Sequence, residues 1–310
     1  MTAASPSPAP LPVVAFLGIG LMGHPMACRL LEAGFRLHVW NRTHAKAQTL
    51  AAQGATVHEQ AACAAQQADV VIAMLENGQI SQQVLREHGV AQAMRPGSLF
   101  IDMASIQPRE ARAHATWLEE LGVTALDAPV SGGTVGAQAG TLAIMVGGTA
   151  EAFARAAPVF APLGKATHIG GHGAGQLAKL ANQMIVGITI GAVAEALLLA
   201  EKGGADPAKV REAIGGGFAD SRILQLHGQR MVTHDFAPRG RVAVQLKDMR
   251  NALATAAEMG FDAPITTHLE QLYRHATEAG FANLDHSALF LELARRNHML
   301  PAPYGDKSLA

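Results

Sequence analysis

At 310 residues, 49% of them hydrophobic and 16% charged, the chain is long enough for two domains, each with a real buried core. Twenty-four Lys and Arg against 25 Asp and Glu leave a formal net charge of −1, without the electrostatic footprint of a nucleic-acid binder or of a protein drawn to an anionic membrane, so a small-molecule partner is expected. Cys28 and Cys63 stand in no CxxC or metal-ligand spacing; no metal site is expected, and the cytoplasm is the natural compartment.

Residues 1–10 are Met, Ala, Ser, Thr and Pro, with no basic n-region and no apolar h-region, and read as a disordered tail, not a signal peptide. From there to residue 174 short apolar runs (13–17, 36–40, 70–75, 99–103, 123–128 and 142–146) alternate with Ala-rich helical stretches at the rhythm of βαβ units. The first five runs are nearly continuously apolar, as strands covered by helices on both faces must be. The expected fold is α/β, a Rossmann-type doubly wound parallel sheet over 11–174.

The first run leads into Gly18-Ile19-Gly20-Leu21-Met22-Gly23 and then a helix predicted over 25–33. In such a loop Gly18 makes the tight turn, Gly20 lets backbone approach a pyrophosphate, and Gly23 lets helix pack on strand, with the phosphate charge met by the helix N-terminus. The second run ends in Asn41-Arg42-Thr43, where a free ribose would be met by an acid. A neutral amide followed by Arg and Thr suits a 2′-phosphate, so NADP(H) is expected over NAD(H); the bland alternative is a turn capped by Asn41 and Thr43 with Arg42 solvated.

Beyond residue 174 the texture changes. Residues 175–203 read as one long interdomain helix, and 204–310 as an all-α domain punctuated at 203–204, 215–217, 238–240, 260–264 and 280. The apolar stretch 184–200 is short for a membrane span, carries Glu195 and is interrupted by Gly187 and Gly191; it is expected to be buried on all sides. Lys179, Asn182 and Gln183 lie three and four apart, so a helix puts them on one face, toward the cleft between domains. His168 and His172 are separated by Ile-Gly-Gly, which does not promise a helical metal pair; both are expected in loops.

Four segments together resemble the β-hydroxyacid dehydrogenases over nearly the whole chain: the glycine loop, Asp127-Ala-Pro-Val-Ser131-Gly132-Gly133, Gly175-Gln-Leu-Ala-Lys179-Leu-Ala-Asn182-Gln183, and Leu246-Lys247-Asp248. Lys179-Leu-Ala-Asn-Gln-Met-Ile-Val, the glycines 215–217 and Asp285-His-Ser-Ala-Leu are most similar to the tartronate semialdehyde reductases of that family. The resemblance implies that Lys179 is the general acid and base of hydride transfer. It implies that the Ser131, Gly132, Gly133 turn holds the substrate carboxylate and that Asn182 holds the substrate hydroxyl or carbonyl. Lys247 would then reach nicotinamide and substrate, and Ser105, with the Met74-Leu75 loop, would meet the nicotinamide end. Ala104, where a hydroxyl residue is usual, and Glu76, where Pro is common, are departures in that region.

The expected activity is reduction of a short 3-oxo acid, tartronate semialdehyde first, with 3-hydroxyisobutyrate, glyoxylate and succinic semialdehyde chemistry as alternatives; an imine reductase or a non-catalytic NADP-binding protein would be expected to lack Lys179. By analogy with the family, a homodimer or homotetramer is expected.

Overall fold

The computed structural model describes residues 10–304, so the tail expected over 1–10 lies, Pro10 apart, outside the described residues. The chain forms two compact units, one up to Lys179 and one from Leu180 onward.

The first unit is built on nine strands: β1 (Val14–Leu17), β2 (Leu37–Trp40), β3 (Thr56–Val57), β4 (Val70–Ala73), β5 (Leu99–Asp102), β6 (Thr124–Asp127), β7 (Val130–Ser131), β8 (Leu142–Gly147) and β9 (Gly164–Gly170). Their order is β3-β2-β1-β4-β5-β6-β8-β7, with β9 also on β8. The strands from β3 across to β6 are parallel, and the apolar runs have the cause inferred from sequence. Val14 and Phe16 enter one core and Ala15 and Leu17 another, so successive residues of a single strand are buried on opposite faces. Strand order reverses at β1, which has β2 on one side and β4 on the other, and the carboxyl ends there form the crevice in which open α/β sheets bind ligands.

Past β6 the sheet is no longer all parallel: β8 runs antiparallel to β6 and β7, and parallel to β9. Helices α1 (Gly23–Glu32), α2 (His44–Gln48), α3 (Ala61–Ala65), α4 (Gly78–Arg86), α5 (Val90–Ala93), α6 (Pro108–Glu120), α7 (Gly133–Ala139) and α8 (Ala150–Phe160) complete this unit.

Helix α9 (Ala174–Lys202) runs from the end of the first unit into the second. It is long and apolar enough to cross a membrane, but composition alone passes that test, as the core helices of many globular proteins do. Burial on all sides is not what the structure shows: 39% of its most apolar window is buried, and Leu177, Ile185 and Leu199 are exposed. The second unit continues with α10 (Pro207–Ile214), α11 (Gln229–Thr233), α12 (Val242–Glu258), α13 (Pro264–Ala276) and α14 (Leu289–Arg296). Its core gathers Ile190, Leu197, Met249, Tyr273 and Phe290, and its one strand-like feature among the described residues is an isolated bridge between Arg241 and Asp285.

Candidate active site

The glycine loop leaves the end of β1 with Gly18 donating its N–H to the Trp40 carbonyl at 2.9 Å. Gly18 has φ +104°, and a Cβ there would collide with the Met74 carbonyl; a Cβ on Gly23 would collide with the Gly18 carbonyl. Both glycines are thus demanded by close backbone approach. Above Gly20 nothing lies within 4 Å of where a Cβ would stand. No side chain caps α1 and its first turn holds no acid, so the loop and helix end offer N–H groups and open space to an anion, which fits a dinucleotide pyrophosphate.

Asn41 has a task that its sequence position did not disclose. Its Oδ1 accepts the Ile19 N–H and its Nδ2 donates to the Thr43 carbonyl, both at 2.9 Å, so the amide braces the glycine loop against the end of β2. Arg42 and Thr43 are exposed beside it.

Lys179 lies on the second turn of α9, and the start of that helix is seated very tightly. A Cβ on Gly175 would come closer than 3.0 Å to the Met145 carbonyl, the Asp127 carbonyl and the Gly147 N–H nitrogen, and one on Gly147 would strike the Asp127 carboxylate. Asp127, 4% exposed, accepts the Gly173 N–H on Oδ1 at 2.7 Å and the Gln176 N–H on Oδ2 at 2.8 Å, meeting two donors that the helix itself cannot satisfy. Burial pushes its carboxyl above the ordinary range, and these two N–H groups hold it back down. From this fixed turn the Lys179 Nζ donates to the Val130 carbonyl at 2.9 Å.

The lysine is therefore held one residue from Ser131. The segment expected as a turn is more structured than that: Val130 and Ser131 pair with Ile144 and Ala143 as strand β7. Gly132 (φ +140°) and Gly133 (φ +61°) then redirect the chain into α7, conformations that favour glycine. Ser105, half-buried, sits between Ala104 and Ile106, both of which are tied to the Gln176 side chain.

In the second unit a polar chain runs through α9 and α12. Gln183 Nε2 donates to Asp248 Oδ2 at 2.6 Å, Asn182 Nδ2 donates to Gln183 Oε1 at 2.8 Å, and Lys247 Nζ pairs with Asp248 Oδ1 at 3.3 Å. Asp248, 2% exposed, accepts only, so it fixes which end of the Gln183 amide faces it and hence which end faces Asn182.

The fold has known counterparts. Residues 13–171 match the model of the NAD binding domain of 6-phosphogluconate dehydrogenase, and residues 173–293 that of NADP-dependent 3-hydroxyisobutyrate dehydrogenase. The chain is 44% identical to the 2-hydroxy-3-oxopropionate reductase of Escherichia coli K12, over 92% of this chain and 98% of that protein. The chain belongs to the β-hydroxyacid dehydrogenase family. This dehydrogenase is also 38% identical to the 3-hydroxyisobutyrate dehydrogenase of Pseudomonas aeruginosa, over 89% of its own length and 96% of the relative's. Among solved structures, the 3-hydroxyisobutyrate dehydrogenase of Mycobacterium tuberculosis with L-serine superposes with a TM-score of 0.84 at 36% identity, covering 91% of this chain and 99% of that one. The protein is an NAD(P)-dependent oxidoreductase acting on a hydroxyl group, with a Rossmann-like domain followed by a helical one.

Two groups of histidines in the dehydrogenase bear on metal chemistry. His168 lies in strand β9, not in a loop, and hydrogen-bonds with the Gly148 carbonyl, while His172 pairs with Glu119. A trio that sequence did not single out, His227, Asp285 and His286, brings its ligand atoms within 4.8 Å of one another. A guanidinium occupies that position already: Arg230 Nη1 lies 3.1 Å from both Asp285 Oδ1 and His227 Nδ1. Asp285 further accepts from Ser287 Oγ at 2.6 Å and from the Gly240 N–H at 3.2 Å. A cation would have to displace a fixed positive charge, and the cluster is read as a hydrogen-bonded hub. Burial alone would raise the Asp285 pKa, but His227, His286, Ser287 and Arg230 hold it well below the usual carboxylate range.

Proposed function

We propose that the enzyme is an NADP(H)-preferring reductase of a short 3-oxo acid, 2-hydroxy-3-oxopropionate (tartronate semialdehyde) first among them. The observation that carries the assignment is the Lys179 ammonium, held 2.9 Å from the Val130 carbonyl and so beside the peptide that joins Val130 to Ser131, two residues ahead of Gly133. It puts a proton donor next to a segment of small residues that leaves room for a small anion. A bound nicotinamide supplies hydride to the carbonyl carbon of the oxo acid. Lys179 delivers a proton from Nζ to the carbonyl oxygen as charge develops there, giving 2,3-dihydroxypropanoate, and it takes that proton back in the oxidation direction. A positioned acid of this kind contributes about 10²–10⁴-fold.

Ser131 Oγ and the backbone of Gly132 and Gly133 meet the substrate carboxylate. Asn182 and Lys247 are assigned to the substrate as well; Asn182 is oriented by Gln183, and Lys247 is steadied by Asp248. Gly18, Ile19, Gly20, Leu21, Met22 and Gly23 receive the pyrophosphate, and Met74, Leu75 and Ser105 the nicotinamide end, which Lys247 also reaches. Arg42, with Thr43, meets the 2′-phosphate. Asn41, whose amide is spent on the loop, offers no carboxylate to a ribose diol. The choice of substrate draws on the 44% identity to a 2-hydroxy-3-oxopropionate reductase, and a three-carbon β-hydroxy acid, L-serine, accompanies the solved mycobacterial relative. Exposed Leu177, Ile185 and Leu199 on α9 favour a homodimer or homotetramer.

The test is NADPH oxidation against 2-hydroxy-3-oxopropionate, methylmalonate semialdehyde, glyoxylate, succinic semialdehyde and a cyclic imine. The highest kcat/KM is expected for 2-hydroxy-3-oxopropionate. Preference for the four-carbon semialdehydes would move the assignment to the 3-hydroxyisobutyrate or succinic semialdehyde branch, and preference for the imine would overturn it.

A further inference from the structure

Gln176 is completely buried, and every polar atom of its amide faces a backbone group. Its Oε1 accepts the Ile106 N–H at 3.1 Å, and its Nε2 donates to the Ala104 carbonyl at 2.8 Å. The two bonds fall on either side of Ser105, so the side chain acts as a surrogate peptide group, pairing with the loop after β5 much as a neighbouring strand would. A backbone donor and a backbone acceptor fix the amide in one sense, because the flipped orientation would set donor against donor and oxygen against oxygen.

The same residue is held at its own backbone. Its N–H goes to Asp127 Oδ2 at 2.8 Å, and the neighbouring Asp127 Oδ1 takes the Gly173 N–H at 2.7 Å. The first turn of α9 is thus clamped to the end of β6 while its side chain clamps the Ser105 loop at the end of β5. Lys179 follows three residues later, about 4.5 Å along the helix axis and on the same face. No flexible segment intervenes between the glutamine and the lysine.

We propose that Gln176 is a positioning residue for hydride transfer: it sets the spacing between the Ser105 loop and Lys179, and thereby between the nicotinamide end of the cofactor and the proton donor. The proposal rests on the assignment above of Lys179 as the acid and of Ser105 to the nicotinamide end. A buried glutamine that served packing alone could be replaced by a side chain of equal length with a loss of stability and no specific effect on the chemical step. A positioning residue cannot, since a displacement of about 1 Å between reacting groups costs up to about a hundredfold in rate.

The experiment compares the unmodified enzyme with Gln176→Met, which keeps length and loses both bonds, and Gln176→Glu, which keeps the acceptor for Ile106 and loses the donor to Ala104. Measurements are made well below each melting temperature, with NADPH and with NADPH deuterated at both C4 positions, and Lys179→Ala serves as reference. Gln176→Met should lower kcat about ten- to a hundredfold, leave the Kd for NADPH and the KM for the oxo acid within about threefold, and raise the deuterium isotope effect on kcat as hydride transfer becomes rate-limiting. Gln176→Glu should fall between the two, and it keeps the test open if the methionine variant does not fold. The proposal is overturned if a folded variant keeps kcat within about threefold with an unchanged isotope effect, or if its loss is matched by an equal loss of NADPH affinity. An inactive Lys179→Ala beside a fully active Gln176→Met defeats this inference alone, whereas an active Lys179→Ala defeats the assignment beneath it.

Discussion

Replacing Gly175 by Ala probes the seat of the helix that carries Lys179. The added Cβ would stand closer than 3.0 Å to three backbone atoms, on Met145, Asp127 and Gly147, and none of these is the movable end of a side chain. Restoring ordinary contact distances requires the start of α9 to withdraw by about 0.6–1 Å. Withdrawal stretches the two N–H bonds to the buried Asp127 carboxylate. Overpacking and weakened charge-assisted bonds together should cost about 2–4 kcal/mol, or about 3–6 °C in Tm for a chain of this size. Lys179 is four residues on, about 6 Å along the axis, and shifts with the helix, so kcat should fall about ten- to a hundredfold.

The pH dependence of this cost has a definite sign. Asp127 already has a raised folded pKa, and losing N–H donors raises it further, so the variant's extra destabilisation should grow as pH rises from that raised value toward the still higher one of the variant. Thermal melts at pH 5 and pH 8, steady-state rates, and NADPH binding by fluorescence give the three readouts. NADPH affinity should change little, because the glycine loop lies elsewhere in the sheet. A Gly175→Ala variant with unchanged Tm and kcat would refute the claim that α9 is seated by backbone contact.

Other expectations concern single groups. Arg42→Ala should raise the KM for NADPH while leaving that for NADH nearly unchanged; better kcat/KM with NADH in the unmodified enzyme would remove the phosphate assignment. Ser131→Ala should weaken turnover of a short oxo acid more than of its methyl ester, though less than loss of Lys179, and equal kcat/KM for acid and ester in the unmodified enzyme would show that no carboxylate is read there. Asp285 has a depressed folded pKa, so its stabilisation is present above the ordinary carboxylate pKa and is lost as pH falls from about 4 toward the folded value. Asp285→Asn should therefore lower Tm at pH 7 and flatten the acid limb of Tm against pH; an acid limb identical to that of the unmodified protein would rule out this role.

The parts of the fold that sequence discloses are those with a strong local cause. β1, β2, β4, β5 and β6 are legible because burial on both faces demands an unbroken apolar run, and the loop after β1 because close backbone approach demands glycine at fixed spacings. β3 is too short to have a period. β9 alternates half-buried and exposed positions between glycines, so it reads as a loop. The apolar character of α9 suggested complete burial, but a sequence does not distinguish apolar surface covered within one chain from surface left for another.

The same limit governs the site. Lys179, Asn182 and Ser131 are given roles by the motifs they stand in, whereas Gln176, in the same motif as Lys179, looks like any polar residue early in a helix. Its partners are 70 and 72 residues away in the chain, and Asp127 meets its N–H from 49 away. Asn41 is similar: its place after β2 suggests a cofactor contact, and its hydrogen bonds add a brace for the loop that no motif marks.

The role of Lys179 as proton donor stands or falls on Lys179→Ala, assayed for NADPH-dependent reduction of 2-hydroxy-3-oxopropionate. An unchanged fold and NADPH affinity are expected with kcat reduced at least about a hundredfold, and a similar loss in Lys179→Arg, whose guanidinium does not release a proton at working pH. Retention of most of the activity in either variant would contradict it.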